Sequence, residues 1–176
     1  MDALLAAERL PRLAQRAMRA AIVTCLAEQR MTPRMLVDRA LVVFESAVTS
    51  RLGEVRSALL FAERDRIVRE LRSFVDGRLA ARLRALRRVD LVAAGSRAAP
   101  FDLVVRNRRG RLYGVVFRRL PRDGRRLSLL QRIRTAVQTA TRTPLDGVLV
   151  YDFSRGTALR LDQAGTQRMY RYLRAS

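Results

Sequence analysis

Apolar residues in the first half of the chain recur every three or four positions, which is the period of an amphipathic helix. Residues 2–29 form the first such stretch. The Thr-Pro pair at residues 32–33 supplies the preferred cap and first position of a second helix. The helical spacing of apolar residues continues to about residue 88, and we expect breaks near Gly53 and Gly77 to divide it into separate helices. We expect three or four helices over residues 1–76.

These helices carry more apolar surface than one buried face requires. Pro11 either kinks the first helix or starts a second one. Residues 42–44 and 59–61 place apolar side chains on more than one side, which favours an interface with another copy or a partner protein over packing within the chain alone. The apolar positions expected from the spacing to face the core are Leu13, Ala17, Ala21, Leu26, Leu36, Ala40, Val43, Ala47, Val48, Leu52, Val55, Leu59, Ile67, Leu71 and Phe74, and the apolar face drifts along the pattern.

The second half of the chain alternates between short apolar runs and helical stretches. Asn107 and Gly110 supply the backbone freedom for a tight reversal between two runs rich in Val, Leu, Phe and Tyr, so these runs predict a β-hairpin. The predicted elements are a basic helix at 77–88, strands at 89–94, 100–105 and 112–119, a helix at 127–140, strands at 147–153 and 158–161, and a terminal helix at 162–173.

This order of elements predicts an α/β fold, α+β overall, with a helical region at 1–76 followed by an α/β domain at 77–176. A helix between the third and fourth strands allows those strands to run parallel. We therefore expect a mixed sheet flanked by helices.

The hairpin resembles the core of the PD-(D/E)xK, restriction-endonuclease-like superfamily, in which Pro-x-Asp starts one strand and Glu-x-Lys ends the next. The resemblance covers roughly residues 78–162. It matches Asp102 to the metal-binding aspartate, whereas Val116 and Arg118 stand where the family has its second carboxylate and its lysine. The family cleaves phosphodiesters with Mg²⁺ held between carboxylates, and valine cannot bind a metal. Arginine stays protonated and is no substitute base. The resemblance therefore implies the fold with a degenerate site, and Asp102 is equally well explained as a strand-entry residue bonded to a turn.

The formal net charge of +20 and a pI near 11.8 predict a polyanionic partner, with nucleic acid foremost. All 36 basic residues are arginine. Residues 1–90 hold 18 arginines and 11 acids, a net +7, whereas residues 91–176 hold 18 arginines and 5 acids, a net +13. Positive charge is therefore concentrated on the endonuclease-like half.

Several classes of function are excluded by what the chain lacks. It has one cysteine and no histidine, so zinc clusters, internal disulfides and histidine-dependent triads are absent. Cys25 lies in an apolar helical stretch and is expected to be a buried thiol. There is no glycine-rich phosphate loop, and no apolar run is long enough to span a membrane. We expect a cytoplasmic protein with no membrane partner and no cofactor.

The sequence therefore predicts a catalytically inactive, endonuclease-like protein that binds the phosphate backbone, with duplex DNA favoured over RNA because the resembled family mostly handles DNA. It would act as a subunit of a larger nucleoprotein assembly. The alternative is an active Mg²⁺-dependent nuclease in which Asp102 works with Asp90, Asp123 or an acid of the first helices. The candidate phosphate-binding residues are Arg106, Arg108, Arg109, Arg111, Arg118, Arg119, Arg122, Arg125, Arg126, Arg132 and Arg134.

Overall fold

The computed structural model describes residues 3–52, 55, 57–85, 91–94, 99–121, 123, 125–140 and 144–162. The chain divides into two compact units, Met1–Asp76 and Gly77–Ser176. Helices come first and a five-stranded mixed sheet follows, which confirms the predicted fold class. The elements are α1 Ala3–Ala27, α2 Pro33–Leu52, α3 Ser57–Val75, α4 Arg78–Arg84, β1 Leu91–Ala94, β2 Leu103–Arg106, β3 Leu112–Arg118, α5 Arg125–Ala140, β4 Gly147–Asp152 and β5 Thr157–Asp162.

In the first unit, α1, α2 and α3 each pack against the other two. α1 continues through Pro11, so this proline does not start a separate helix. α2 begins as its Thr-Pro pair predicts, because the Thr32 hydroxyl accepts the N–H of Met35 at 3.3 Å. Exposed ion pairs connect the helices: Arg39 of α2 reaches Glu28 at 2.8 Å, just beyond the end of α1.

The buried face of α2 differs in part from the predicted one, since Phe44 takes the place of Val43. Its buried residues recur strictly every fourth position, at Leu36, Ala40, Phe44, Val48 and Leu52. The expectation that Val43 lies in the core is wrong, since this side chain is 38 % exposed. A row of positions four apart winds slowly around the helix, and such rows form the ridges that pack between neighbouring helices.

In the second unit, the sheet has the strand order β1-β2-β3-β4-β5. β3 and β4 are parallel, and all other neighbouring pairs are antiparallel. α5 makes the crossover between the two parallel strands, as the order of elements predicts. Both parallel strands therefore end at the same edge of the sheet, where Arg118 of β3 pairs in register with Asp152 of β4.

The core of this unit lies between α5 and one face of the sheet. It includes Val104, Val116, Leu120, Leu130, Ile133, Val137, Val148 and Val150. Gly114 allows α5 to approach β3 closely, because a Cβ atom at this position would lie 2.6 Å from Cγ1 of Val137. The spacing of Leu130, Ile133 and Val137 along α5 is that of a helix with one buried side.

α5 begins two residues earlier than the apolar pattern predicts. Asp123 precedes it, and its Oδ1 accepts the N–H of Arg125 at 3.1 Å, which provides an acceptor for a free amide of the first turn. The C-terminal part of the predicted basic helix and the predicted helix at 162–173 lie, apart from Asp162 at the end of β5, outside the described residues. None of the helices within the described ranges is long and apolar enough to cross a bilayer.

Candidate nucleic-acid interface

Asp102 lies at the entrance to β2 and is bonded to the backbone of β3. Its Oδ2 accepts the N–H of Phe117 at 2.7 Å, and its own N–H donates to the carbonyl of Val115 at 2.9 Å. Val115 is also the register partner of Leu103, so the chain leaves the regular ladder at Asp102. The carboxylate then stands in for a strand carbonyl opposite Phe117. Asp102 is only 3 % exposed, and its carboxylate supplies a hydrogen-bond acceptor to the backbone of the sheet.

Val116 and Arg118, which the resemblance matches to the second carboxylate and the lysine, both lie on β3. Val116 is fully buried among the apolar side chains beneath α5 and is the register partner of Val150. Arg118 is half-buried at the end of the strand, beside Asp152. The position that would need a second carboxylate is therefore in the apolar core and out of contact with water, on a strand that carries no acidic residue.

The donor set does not fit a Mg²⁺ ion. Mg²⁺ binds oxygen ligands in near-octahedral geometry, and here one carboxylate bonded to an amide is accompanied by a valine and an arginine. Asp123 is exposed at the start of α5, and Asp90 lies outside the described residues. Across the parts of the chain that the structure describes, no group of three or more acidic, cysteine or histidine side chains is placed to hold a metal.

Four of the candidate arginines lie on or beside the tip of the β2–β3 hairpin. The tip is fixed by Asn107, whose Oδ1 accepts the N–H groups of Arg109 at 2.9 Å and Arg111 at 3.0 Å. Gly110 closes the turn with φ of +76°, in the region that favours glycine. All four side chains, Arg106, Arg108, Arg109 and Arg111, are exposed, and none forms an ion pair with any residue in the described ranges.

The other candidates that the structure describes lie at the far end of β3 and on α5. Arg118 and Arg119 are half-buried at the opposite end of β3, about 20 Å away at roughly 3.3 Å per residue. On α5, Arg125 and Arg132 are exposed and seven residues apart, which places them on one side of the helix. Arg134 is half-buried and already engaged, and Arg122 lies outside the described residues. The described candidate arginines are therefore distributed over the hairpin tip, the far end of β3 and α5.

A functional candidate that the sequence reasoning missed is Asp152, at the end of β4. It is fully buried, and its Oδ1 accepts the N–H of Leu120 at 3.1 Å and that of Ser154 at 3.1 Å. Its Oδ2 lies 3.7 Å from an Nη of Arg126 and 4.0 Å from Nε of Arg155. The only signal in the sequence is an acid that ends an apolar strand, which alone does not show that Arg126, 26 residues earlier in the chain, lies beside it.

Comparison of the chain with protein-family models, curated protein sequences and solved structures finds no match in any of the three.

Proposed function

We propose that this protein binds nucleic acid through the phosphate backbone, without cleaving it, using an endonuclease-like core. The observation that carries the proposal is the hairpin tip, defined as Arg106, Arg108, Arg109 and Arg111: four exposed guanidinium groups without ion pairs among the described residues. Arginine donates forked, charge-assisted hydrogen bonds that match phosphate oxygens. The high net charge adds long-range attraction for a polyanion.

The geometry of the tip favours backbone contacts with little sequence preference. Asn107 and Gly110 hold the turn in one conformation, so less backbone entropy is lost when the arginines engage a ligand. Contacts to phosphates fix position and carry no base information. Duplex DNA is the preferred form in this proposal because of the hairpin's resemblance to an endonuclease-like family.

We do not propose catalysis, because the residues around Asp102 do not supply a second metal-binding carboxylate. Val116 belongs to the apolar core, and the Asp102 carboxylate accepts a backbone N–H. An active nuclease would require a carboxylate from elsewhere in the chain. Mg²⁺-dependent cleavage of labelled duplex by the unmodified protein, lost in Asp102→Ala, would favour that alternative.

The test compares two variants that each lose four positive charges. One replaces the four tip arginines with glutamine; the control makes the same change at Arg12, Arg16, Arg69 and Arg72, which are exposed in the first unit. We expect the tip variant to bind duplex DNA more weakly, with a slope of log K against log salt smaller by about 3.6 if all four arginines contact phosphates. The control should lose only the general attraction. Equal loss in the two variants would show that net charge alone drives binding and would contradict the role of the tip.

We further propose that the first unit joins this protein to another copy or to a partner within a nucleoprotein assembly. Val42 is 66 % exposed and Phe61 is 59 % exposed, both large apolar side chains on adjacent helices. Val42→Glu with Phe61→Glu should lower the mass measured by light scattering or release a co-purifying protein. Thr49→Glu with Ser57→Glu, at exposed positions of the same helices, is the control for added charge. A monomeric parent protein with no co-purifying partner would contradict the proposal.

A further inference from the structure

The edge of the sheet where β3 and β4 end gathers three arginines around one buried acid. Arg118 is the register partner of Asp152, and Arg126 and Arg155 approach its Oδ2. Asp152 also accepts backbone N–H groups from the segment after β3 and from the turn after β4. We define these four residues as the Asp152 cluster. These hydrogen bonds fix the backbone of the segment after β3 and of the turn after β4, which are next to the arginines.

The distances within the cluster leave hydrogen-bond donors unused. The separations of 3.7 Å and 4.0 Å from Asp152 to Arg126 and Arg155 exceed the 2.7–3.2 Å usual for an N–H···O bond. Neither of these guanidinium groups makes another side-chain hydrogen bond or ion pair with the residues that the structure describes. Each guanidinium carries five N–H donors in a planar fork, so both are able to bind a further acceptor.

The charge of the cluster specifies the class of acceptor. Arg126 and Arg155 against the single carboxylate of Asp152 leave one positive charge in excess, and the side chain of Arg126 is only 16 % exposed. Positive charge held partly out of water is stabilised by a nearby anion. A phosphate monoester is an anion near neutral pH with three terminal acceptor oxygens, which can serve two guanidinium forks, whereas a backbone diester has only two such oxygens. Arg155, at 40 % exposure, leaves the cluster open to solvent on its side.

We propose that the Asp152 cluster is a binding site for a phosphate monoester group, separate from the hairpin tip. Asp152 orients the arginines, and Arg126 and Arg155 donate to the phosphate oxygens. A monoester occurs at the phosphorylated end of a nucleic-acid strand and in free inorganic phosphate. The first source deepens the proposed function and rests on it, whereas binding of free phosphate does not.

The experiment measures inorganic phosphate binding by calorimetry at constant ionic strength, and compares short duplexes with and without a 5′- or 3′-phosphate. We expect phosphate to bind the unmodified protein, and a terminal phosphate to raise duplex affinity about tenfold, the effect of one charge-assisted hydrogen bond. Arg155→Gln and Arg126→Gln should each reduce phosphate binding and remove the gain. Binding of free phosphate that Arg155→Gln weakens, without a gain from either phosphorylated end, would support the site and identify free phosphate as its ligand.

The hairpin-tip variant is the matched control, and it should bind inorganic phosphate like the parent protein. Arg155 is the most exposed of the three arginines in the cluster, so its variant is expected to fold. Far-ultraviolet circular dichroism checks this. The proposal is overturned if the parent protein binds no phosphate and does not distinguish phosphorylated duplex ends, or if Arg155→Gln and Arg126→Gln leave phosphate binding unchanged. If the tip variant binds duplex DNA as well as the control variant does, and phosphate binding is retained, only the proposed function is contradicted.

Discussion

At the scale of single residues, Asp102 combines 3 % exposure with a 2.7 Å bond from the N–H of Phe117. Removing the carboxylate leaves a buried amide without that acceptor, which costs about 1–3 kcal/mol. We predict that Asp102→Ala lowers the free energy of unfolding by this amount in urea titrations. Asp102→Asn keeps an oxygen acceptor and should lose less. An alanine variant as stable as the parent would show that Phe117 finds another acceptor.

Duplex binding by the same variants tests whether the role of Asp102 is structural. Because the Asp102 carboxylate is bonded to the sheet and Val116 lies in the apolar core, we expect duplex binding to be unchanged in folded Asp102→Asn. Restoring the motif with Val116→Glu would place a carboxylate among apolar side chains, where its charge is poorly solvated.

Cys25 gives a prediction that depends on pH. Burial raises the pKa of its thiol, and the charge of Arg39 opposes this effect. The folded state therefore favours the protonated thiol, and the stability that this contributes is complete below the ordinary pKa of 9.0 and is lost as pH rises through the raised value. Up to about pH 9, we predict that Cys25 reacts with iodoacetamide at least about 100-fold more slowly than an exposed cysteine, because reaction requires local opening.

A suitable reference for this measurement is Ser46→Cys in a Cys25→Ala background, since Ser46 is exposed on α2. The rates should become equal in guanidinium chloride, where both thiols are accessible. Equal rates in the native state would contradict the burial of Cys25. The sequence anticipates this residue correctly, because a small thiol in an apolar helical stretch is a local signal.

Asp152 could not be anticipated in the same way. Arg155 lies three residues after it in the turn that follows β4, whereas Arg126 comes from α5 and reaches it only because the crossover pairs β3 with β4. A clustering that depends on the crossover leaves no pattern in the local sequence. The arginine count, by contrast, is visible in the sequence, but it gives no indication that the tip and the Asp152 cluster lie at opposite ends of β3.

At the scale of elements, the packing of α5 on the sheet depends on Gly114. A Cβ atom there would lie 2.6 Å from Cγ1 of Val137 and 3.1 Å from Cδ1 of Leu145. Val137 is β-branched and has few alternative rotamers in a helix, so it cannot move away cheaply. We predict that Gly114→Ala lowers the free energy of unfolding by about 1–3 kcal/mol, the usual cost of overpacking a core.

A double-mutant cycle tests the cause of this loss. Val137→Ala removes the clashing atom, so Gly114→Ala should cost less in that background, with a coupling energy of about 0.5–3 kcal/mol. Gly110→Ala is a useful comparison, since no atom lies within 4 Å of its added Cβ and only the positive φ opposes the change. Purely additive effects of Gly114→Ala and Val137→Ala would show that steric contact is not the reason.

The elements themselves were largely predictable because their signals are local. The Thr-Pro start of α2 and the Asn-Arg-Arg-Gly turn of the hairpin both occur where the sequence predicts them. The buried side of α2 was less predictable, since a row of apolar positions three and four apart fits more than one side of the helix. Phe44 rather than Val43 is buried because packing against two other helices selects the row spaced by four.

At the scale of the whole molecule, the order helix, three strands, helix, two strands leaves few possible topologies. A crossover helix between neighbouring strands favours parallel pairing, and β3 and β4 are indeed parallel. This explains why the fold class could be predicted while the composition of the candidate site could not. The order of elements constrains which strands are neighbours, whereas the site depends on individual side chains at the strand ends.

The distribution of charge leads to the last prediction, which concerns salt. The net charge of +13 on residues 91–176 exceeds the +7 on residues 1–90, and the exposed tip arginines lie in the more basic half. Phosphate binding releases condensed counterions, so log K for duplex DNA should fall linearly with log salt. A protein that contacts six to ten phosphates loses about 10³–10⁵ in affinity between 50 and 200 mM salt, and we predict a decrease of this order.

Fluorescence anisotropy with a labelled duplex, titrated at several salt concentrations, measures the slope directly. Scrambling the duplex sequence should change the affinity little at any salt concentration, because phosphate contacts carry no base information. If affinity is the same at 50 and 200 mM salt, electrostatic attraction to phosphates does not drive binding, and the arginine-rich half must have another partner. If affinity falls with salt but depends strongly on sequence, base contacts accompany the phosphate contacts, and the exposed Arg125 and Arg132 on one side of α5 are the next residues to substitute.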